Sequence, residues 1–258
     1  MSLHTLAIFA GFVVFTTFAS LVVYFFSRWI GFKSADNETR ELSGSVAFRV
    51  AALHGLILAL VFADQLTNYS DLRRTAADEA TAIADLFVEI ERYDTDIKAN
   101  VQHALARYTR AVVEREWNSL GDRNDLSPEV RKLHEFVYDA ILDLEPQTAK
   151  QSDLRSHMLK NIQRIAELRR ARGNASLYLM SGFFWVASVA GLILIAMSYA
   201  VYPPKPLNLV LLSLYSVFSG LIMFIIFAHA DPYSSPGALP PAAFQDLLET
   251  DEFQRLQN

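Results

Sequence analysis

Between Ala47 and Asp71 an apolar run, AFRVAALHGLILALVFADQLTNYSD, carries Arg49 and His54 inside it and Asp64 toward its end. A charge inside a bilayer costs roughly 3 kcal/mol even on lenient insertion scales, so such side chains face protein, water or one another. Wound as a helix at about 100° per residue, Arg49, Leu53, Leu56, Leu60, Asp64, Thr67 and Asp71 share a stripe about 80° wide. His54, Val61, Gln65 and Leu72 fall nearly opposite. The stripe runs charged, apolar, charged, which is the layout of a path with polar mouths and a constriction that excludes water; its chemistry would be ion passage. A second reading stands beside it: Arg49 and Asp64 each lie about one turn from an interface, where long side chains snorkel to water.

His54 sits nearer mid-span, beyond the reach of snorkelling. Two roles are open to it, a structural hydrogen bond to another helix through Ser181, Ser188 or Thr17, or a proton or ligand site. His229 beside Asp231 reads either as a pH-sensitive pair or as an interfacial residue. The remaining histidines, His4, His103, His134 and His157, lack metal-ligand spacing, and no cysteine is present, so disulfides, thiolate chemistry and cysteine-based metal sites are excluded. No glycine-rich phosphate loop, G-x-S-x-G or H-E-x-x-H occurs, and the carboxylates of DEATAIADLFVEIERYDTD recur on what reads as a solvated helix face. Neither an enzyme nor a cofactor is expected. The net charge of -5 and the lack of a basic stripe argue against nucleic acid as a partner.

The elements that must position these residues follow from the apolar blocks. Four of them, 5–27, 46–63, 177–201 and 207–229, approach the roughly 20 residues that cross about 30 Å of hydrocarbon. The first lacks a basic leader and a small-residue cleavage site, and reads as a retained span. The third ends in YPPKP, a tight turn that makes spans three and four a hairpin. Between spans two and three the composition changes to a charged, periodic stretch. Leu86, Ile90, Ile97, Val101, Leu105, Tyr108 and Val112 recur at helical spacing, as do Leu133, Val137, Ile141 and Leu144, and again Leu154, Met158, Ile162, Ile165 and Leu168. Ser127 is placed as an N-cap with Pro128 at the first helical position. The expected architecture is all-α: an integral membrane protein with four transmembrane helices and a cytoplasmic helical bundle between spans two and three. Its parts are 1–71 (spans one and two), 72–174 (bundle), 175–230 (hairpin) and 231–258 (cytoplasmic tail). The first bundle helix is expected to continue straight out of span two. The tail is amphipathic through Phe244, Leu247, Leu248 and Phe253 and should dock on the bundle or on a neighbouring subunit. Counting Arg73, Arg74, Lys160, Arg164, Arg169, Arg170 and Arg172 against Arg28, Lys33, Arg40 and Lys205 places the bundle and both termini in the cytoplasm, the chain lying in the inner (plasma) membrane.

The exit of span four, FAHADPYSSPGALPPAAFQDL, resembles the bestrophin signature in which the last transmembrane helix runs into D-P-F-G, an acidic stretch and L-P. Asp231, Pro232 and Tyr233, with Leu239 and Pro240, take those places. Gly55 and Tyr69, the latter in TNYSD, resemble a second bestrophin pairing at the end of span two. The order of elements agrees over nearly the whole chain. The whole is most similar to a bacterial bestrophin-like group in which an EAxAI helix, here Glu79 to Ile83, and a terminal D-x-P-x-x-G motif recur. The resemblance implies a homo-oligomeric ion channel, a pentamer in bestrophins, with span two of each subunit around a central pore and constriction positions on Phe48, Ala52 and Leu56. The acidic cluster that serves calcium in animal members is replaced by SSPGA, so no calcium clasp is carried over. The bestrophin RWW exit is replaced by LTNYSDLRR, so neither is charge selectivity.

Joined to the stripe, the resemblance favours a pore wall made of Phe48, Arg49, Ala52, Leu53, Leu56, Leu60, Asp64, Thr67 and Asp71. The expected partners are membrane lipid, further copies of the chain and permeant inorganic ions. His54, on the opposite face, is expected to contact another helix. The alternative is a membrane-anchored sensory or scaffolding bundle without transport, against which the short stretch after span four offers no output domain.

Overall fold

The computed structural model describes residues 3–31, 36–93, 96–177, 182–234 and 236–256, and among them no strand occurs. The helices are α1 (Leu3–Ile30), α2 (Asn37–Tyr93), α3 (Lys98–Ala111), α4 (Trp117–Arg123), α5 (Pro128–Leu142), α6 (Ala149–Ala175), α7 (Gly182–Tyr199), α8 (Pro206–His229), α9 (Ala242–Leu248) and α10 (Asp251–Gln254). A π turn, Val112–Glu116, joins α3 to α4. α1, α2, α7 and α8 are long and apolar enough to cross a membrane. The chain divides into two compact units, Met1–Thr67 with Leu179–Ala230, and Asn68–Tyr178 with Asp231–Asn258; α2 contributes to both.

In the first unit α1 lies against α8 and α7. Apolar helices gain little from shedding lipid, so association rests on small residues and on hydrogen bonds that cross between helices. Both devices are present. Thr16 donates its hydroxyl to the Ser216 carbonyl at 3.0 Å, over Gly220, where an added Cβ would collide with the Thr16 oxygen. Near the other end of α1, Tyr24 donates to the Tyr202 carbonyl at 2.8 Å, and Arg28 donates to the carbonyls of Ala200 and Tyr202, each at 2.7 Å. These are the carbonyls left open where α7 stops in the YPPKP turn. Tyr202 in turn donates to the Arg40 carbonyl at the start of α2.

The second unit has one large apolar core. Ile83, Leu86 and Ile90 of α2 meet Val101 and Leu105 of α3, Val130 and Ile141 of α5, and Met158 and Ile162 of α6. α2 does continue unbroken from its apolar part into this core. The periodic series from Leu86 to Val112 is nonetheless two helices, because α2 stops at Tyr93 and α3 starts at Lys98; the buried face resumes in phase across the break, which is why periodicity alone read it as one. Ser127 precedes Pro128 as expected, but its side chain does not cap. Its amide donates instead to a Glu116 carboxylate oxygen at 2.8 Å. The tail docks on this same unit: Phe244 and Phe253 are fully buried, with Phe253 stacked on Phe87 at 4.8 Å.

Candidate functional site

Two constellations stand out, one on the face of α2 and one in the core of the second unit. Within a single chain the candidate residues Phe48, Arg49, Ala52, Leu53, Leu56, Leu60, Asp64, Thr67 and Asp71 are all exposed. The apolar members are strongly so, Phe48 at 76%, Leu53 at 62%, Leu56 at 56% and Leu60 at 62%. The opposite face is packed, with Ala47, His54, Leu58, Gln65 and Leu72 buried. Thr67 returns its hydroxyl to the Ala63 carbonyl, and Asp71 lies 3.9 Å from Arg74 with both side chains largely in solvent, a pair worth little. Asp64 and Arg49 stand on the same exposed face with four leucine and alanine positions between them.

His54 is on the buried side and contacts other helices, although by a different group from those its sequence position suggested. Its Nδ1 hydrogen-bonds the Tyr215 hydroxyl of α8, and its ring lies against Gly191 of α7. The Thr17 and Ser188 hydroxyls are themselves buried without partners, and Ser181, like Lys33, lies outside the described residues.

The second constellation is one that sequence reasoning did not assemble. Arg172 of α6 is wholly buried between two carboxylates. Its Nε donates to Glu79 of α2 at 2.9 Å and its Nη2 donates to Glu116 of the π turn at 2.7 Å. Arg169, one turn earlier, donates to Glu116 at 2.5 Å and to the Ser127 carbonyl at 2.8 Å. Tyr108 of α3 donates to Glu79 at 2.7 Å. Two guanidiniums and two carboxylates balance, which is the condition for burying charge at all. The rings of Trp117 and Phe244 each lie 5.5 Å from the Arg172 guanidinium carbon, so aromatic faces cover the part of the cation that the carboxylates leave open. Burial works against the Arg172 charge, but Glu79 and then Glu116 outweigh it and hold its pKa above the usual value. Burial, reinforced by the Glu79 charge, pushes the Tyr108 phenol well above its ordinary range.

Two sequence expectations are corrected here. The sequence pattern puts Glu79 with its neighbouring carboxylates on a solvated face, whereas it is fully buried and ion-paired. The charge count takes Arg169 and Arg172 as positive residues near the membrane, whereas their charges are spent on Glu116 and Glu79. The signal that could have found them is that Glu79 falls in phase with the apolar Ile83, Leu86 and Ile90.

The Asp231, Pro232, Tyr233 motif closes on this cluster. Asp231 accepts from the Tyr233 amide at 2.9 Å in a local turn, and the Pro232 carbonyl accepts from Leu239 at 2.7 Å. Tyr233 then donates its hydroxyl to the Arg172 main-chain carbonyl at 2.7 Å and meets Trp117 edge-on at 5.1 Å. Trp117 donates to the Leu239 carbonyl at 2.8 Å. Gly121 permits this approach, since a Cβ there would lie 2.9 Å from the Tyr233 carbonyl oxygen. The motif is thus a clip that seats the tail on the buried ions. Among the described residues no group of acidic or histidine side chains is arranged to hold a metal.

Comparison with known proteins bears on the fold and the family. A model of the Bestrophin-like domain matches residues 13–244. Two point variants of a bacterial bestrophin homologue from Klebsiella pneumoniae superpose with TM-scores of 0.69 and 0.68, at 11% and 10% identity, covering 97% of this chain and 99% of theirs. A crystal structure described as a membrane protein superposes at 0.67, with 10% identity over 97% of this chain and 98% of its own. A search of curated proteins finds no match. At these identities the structures establish a shared fold, all-helical with four long apolar helices. Together with the domain match they make this a multi-pass membrane protein.

Proposed function

The chain belongs to the Bestrophin-like family, and on that premise we propose that it is a homo-oligomeric ion channel, a pentamer, with α2 of each subunit lining a central pore. The observation that carries the proposal is the exposure of the whole candidate face of α2 while its opposite face is buried. A face that is charged, apolar and charged again makes a poor lipid contact and a suitable pore wall. Phe48, Ala52 and Leu56 narrow the path, dewetting at Leu56 and Leu60 sets its barrier, and Asp64, Thr67 and Asp71 shape the vestibule on the cytoplasmic side. Residues 1–71 and 175–230 form the membrane part, 72–174 the cytoplasmic bundle and 231–258 its tail, with the assembly in the inner (plasma) membrane.

Purified protein in planar bilayers under a potassium chloride gradient should give a defined unitary conductance. Two acidic rings favour cations, so the reversal potential should lie on the potassium side of zero current and move toward the chloride side when Asp64→Asn and Asp71→Asn are combined. A silent bilayer from a well-folded oligomer would turn the reading to the scaffolding alternative. The topology is tested separately with a cysteine introduced at the exposed Asn100. Membrane-impermeant maleimide applied to intact cells should leave it unlabelled, and labelling would put the bundle outside.

A further inference from the structure

The side of α2 turned away from the candidate pore face holds a polar constellation of its own. His54 is only 2% exposed, and while its Nδ1 is bonded to Tyr215, its Nε2 is buried without a partner, facing the Ser188 main chain of α7. Ser188 is fully buried and its hydroxyl also lacks a partner. Gly191, one turn further along α7, gives the ring its place, because a Cβ there would stand 2.5 Å from the His54 Cδ2. On the other side Tyr215 has Ser219 within hydrogen-bonding reach, and its ring forms part of the wall of a cavity of about 330 Å³ with Gly44, Phe48, Tyr199, Tyr202 and Asn208. Tyr215 therefore stands between the cavity and the imidazole.

We propose that His54 is a proton-binding site within each subunit, loaded from this cavity through the Tyr215 hydroxyl, and that its charge state sets the conductance of the pore on the opposite face of α2. The second half rests on the channel reading above. The transfer is balanced: the phenol passes its proton to Nδ1 and takes one from solvent in the cavity, so a single proton is added to the imidazole and Tyr215 changes from donor to acceptor. The hydrogen that Tyr215 takes from solvent then points to Ser219. The groups facing the ring are Ser188 and Gly191 from α7 and Tyr215 from α8, and neither a carboxylate nor a guanidinium of the described residues contributes to its surroundings. An imidazolium there is an uncompensated charge in a dry packing, so it is drawn toward the cavity and unseats α2 from Gly191. Phe48, which the cavity shares with the exposed face, is the residue through which that shift reaches the pore.

The test uses the full-length oligomer reconstituted in bilayers, with ¹⁵N-labelled histidine. Solid-state ¹⁵N spectra of wild type minus His54→Gln should show one imidazole that becomes protonated as the sample is acidified, with its Nδ1 resonance displaced in Tyr215→Phe. Unitary current should change several-fold over the same range when acid is applied on the cavity side. His54→Gln should match wild type at the alkaline end and lose the dependence. Tyr215→Phe, which keeps the ring and its packing, should slow or abolish the response. A His54 resonance that stays neutral throughout overturns the proton site. A titrating resonance with pH-independent current overturns the coupling, and a titrating resonance in a bilayer silent at every pH leaves the proton site standing while the channel reading falls.

Discussion

Arg172→Ala should lower the melting temperature of the purified protein by roughly 10 °C or prevent its folding. Removing one partner from a buried ion pair costs about 3–5 kcal/mol, since the carboxylate left behind can neither reach water nor find another cation. Here two carboxylates are left, Glu79 and Glu116, and both are fully buried. The side chain also packs between Trp117 and Phe244, so alanine opens a cavity under the tail. For a unit of this size each kcal/mol corresponds to about 2–4 °C, which gives the magnitude. Arg172→Lys should recover little of the loss, because a point ammonium cannot serve Glu79 and Glu116 in the forked geometry of a guanidinium. Melting followed by light scattering or intrinsic fluorescence reads the shift. An unchanged transition in Arg172→Ala would mean that the ions are incidental to the fold.

The second large effect separates the two faces of α2 by comparing neighbouring leucines. Leu56→Ala should raise unitary conductance several-fold with little change in stability, because Leu56 is exposed within the chain and, in the proposed pore, acts by excluding water. Leu58→Ala should do the reverse. Leu58 is 3% exposed and packs with Phe184, Met223 and Ile226, so its truncation costs about 2–5 kcal/mol and leaves the conductance of surviving channels near the wild-type value. Single-channel recording and thermal melting on the same two preparations distinguish the outcomes. A rise in conductance from Leu58→Ala and none from Leu56→Ala would place the pore on the other side of the helix. Such a result would also contradict the assignment of His54 to the packed face.

The elements that the sequence made legible are those governed by local rules. The apolar blocks appear as α1, α7, α8 and the first part of α2, displaced by a few residues at their ends. Pro128 begins α5, and Phe244 and Phe253 carry the tail into the core. The break between Tyr93 and Lys98 was not legible, since a buried face that resumes in register has the same periodicity as one that never stopped.

The pairing within the buried ion cluster was not legible, for a different reason. The phase of Glu79 marks it as an inward residue, but Glu79, Tyr108, Glu116, Arg169 and Arg172 come from four separate stretches, and none of these names its partner. Their pairing depends on which faces α2, α3, the π turn and α6 turn toward one another, and Glu116 stands at the end of that π turn.

By itself, then, the amino-acid sequence determined that this is an all-helical protein with four apolar helices, that one face of α2 alternates charge and leucine, and that the exit of α8 carries a family motif. Those properties follow from hydrophobic period and composition, which are local. Only the tertiary structure decided that His54 meets Tyr215 and Gly191, that Glu79 is an interior residue, and that the Asp231–Tyr233 motif closes over Arg172. A charge is exposed or buried according to what packs on it, and that partner lies far away along the chain.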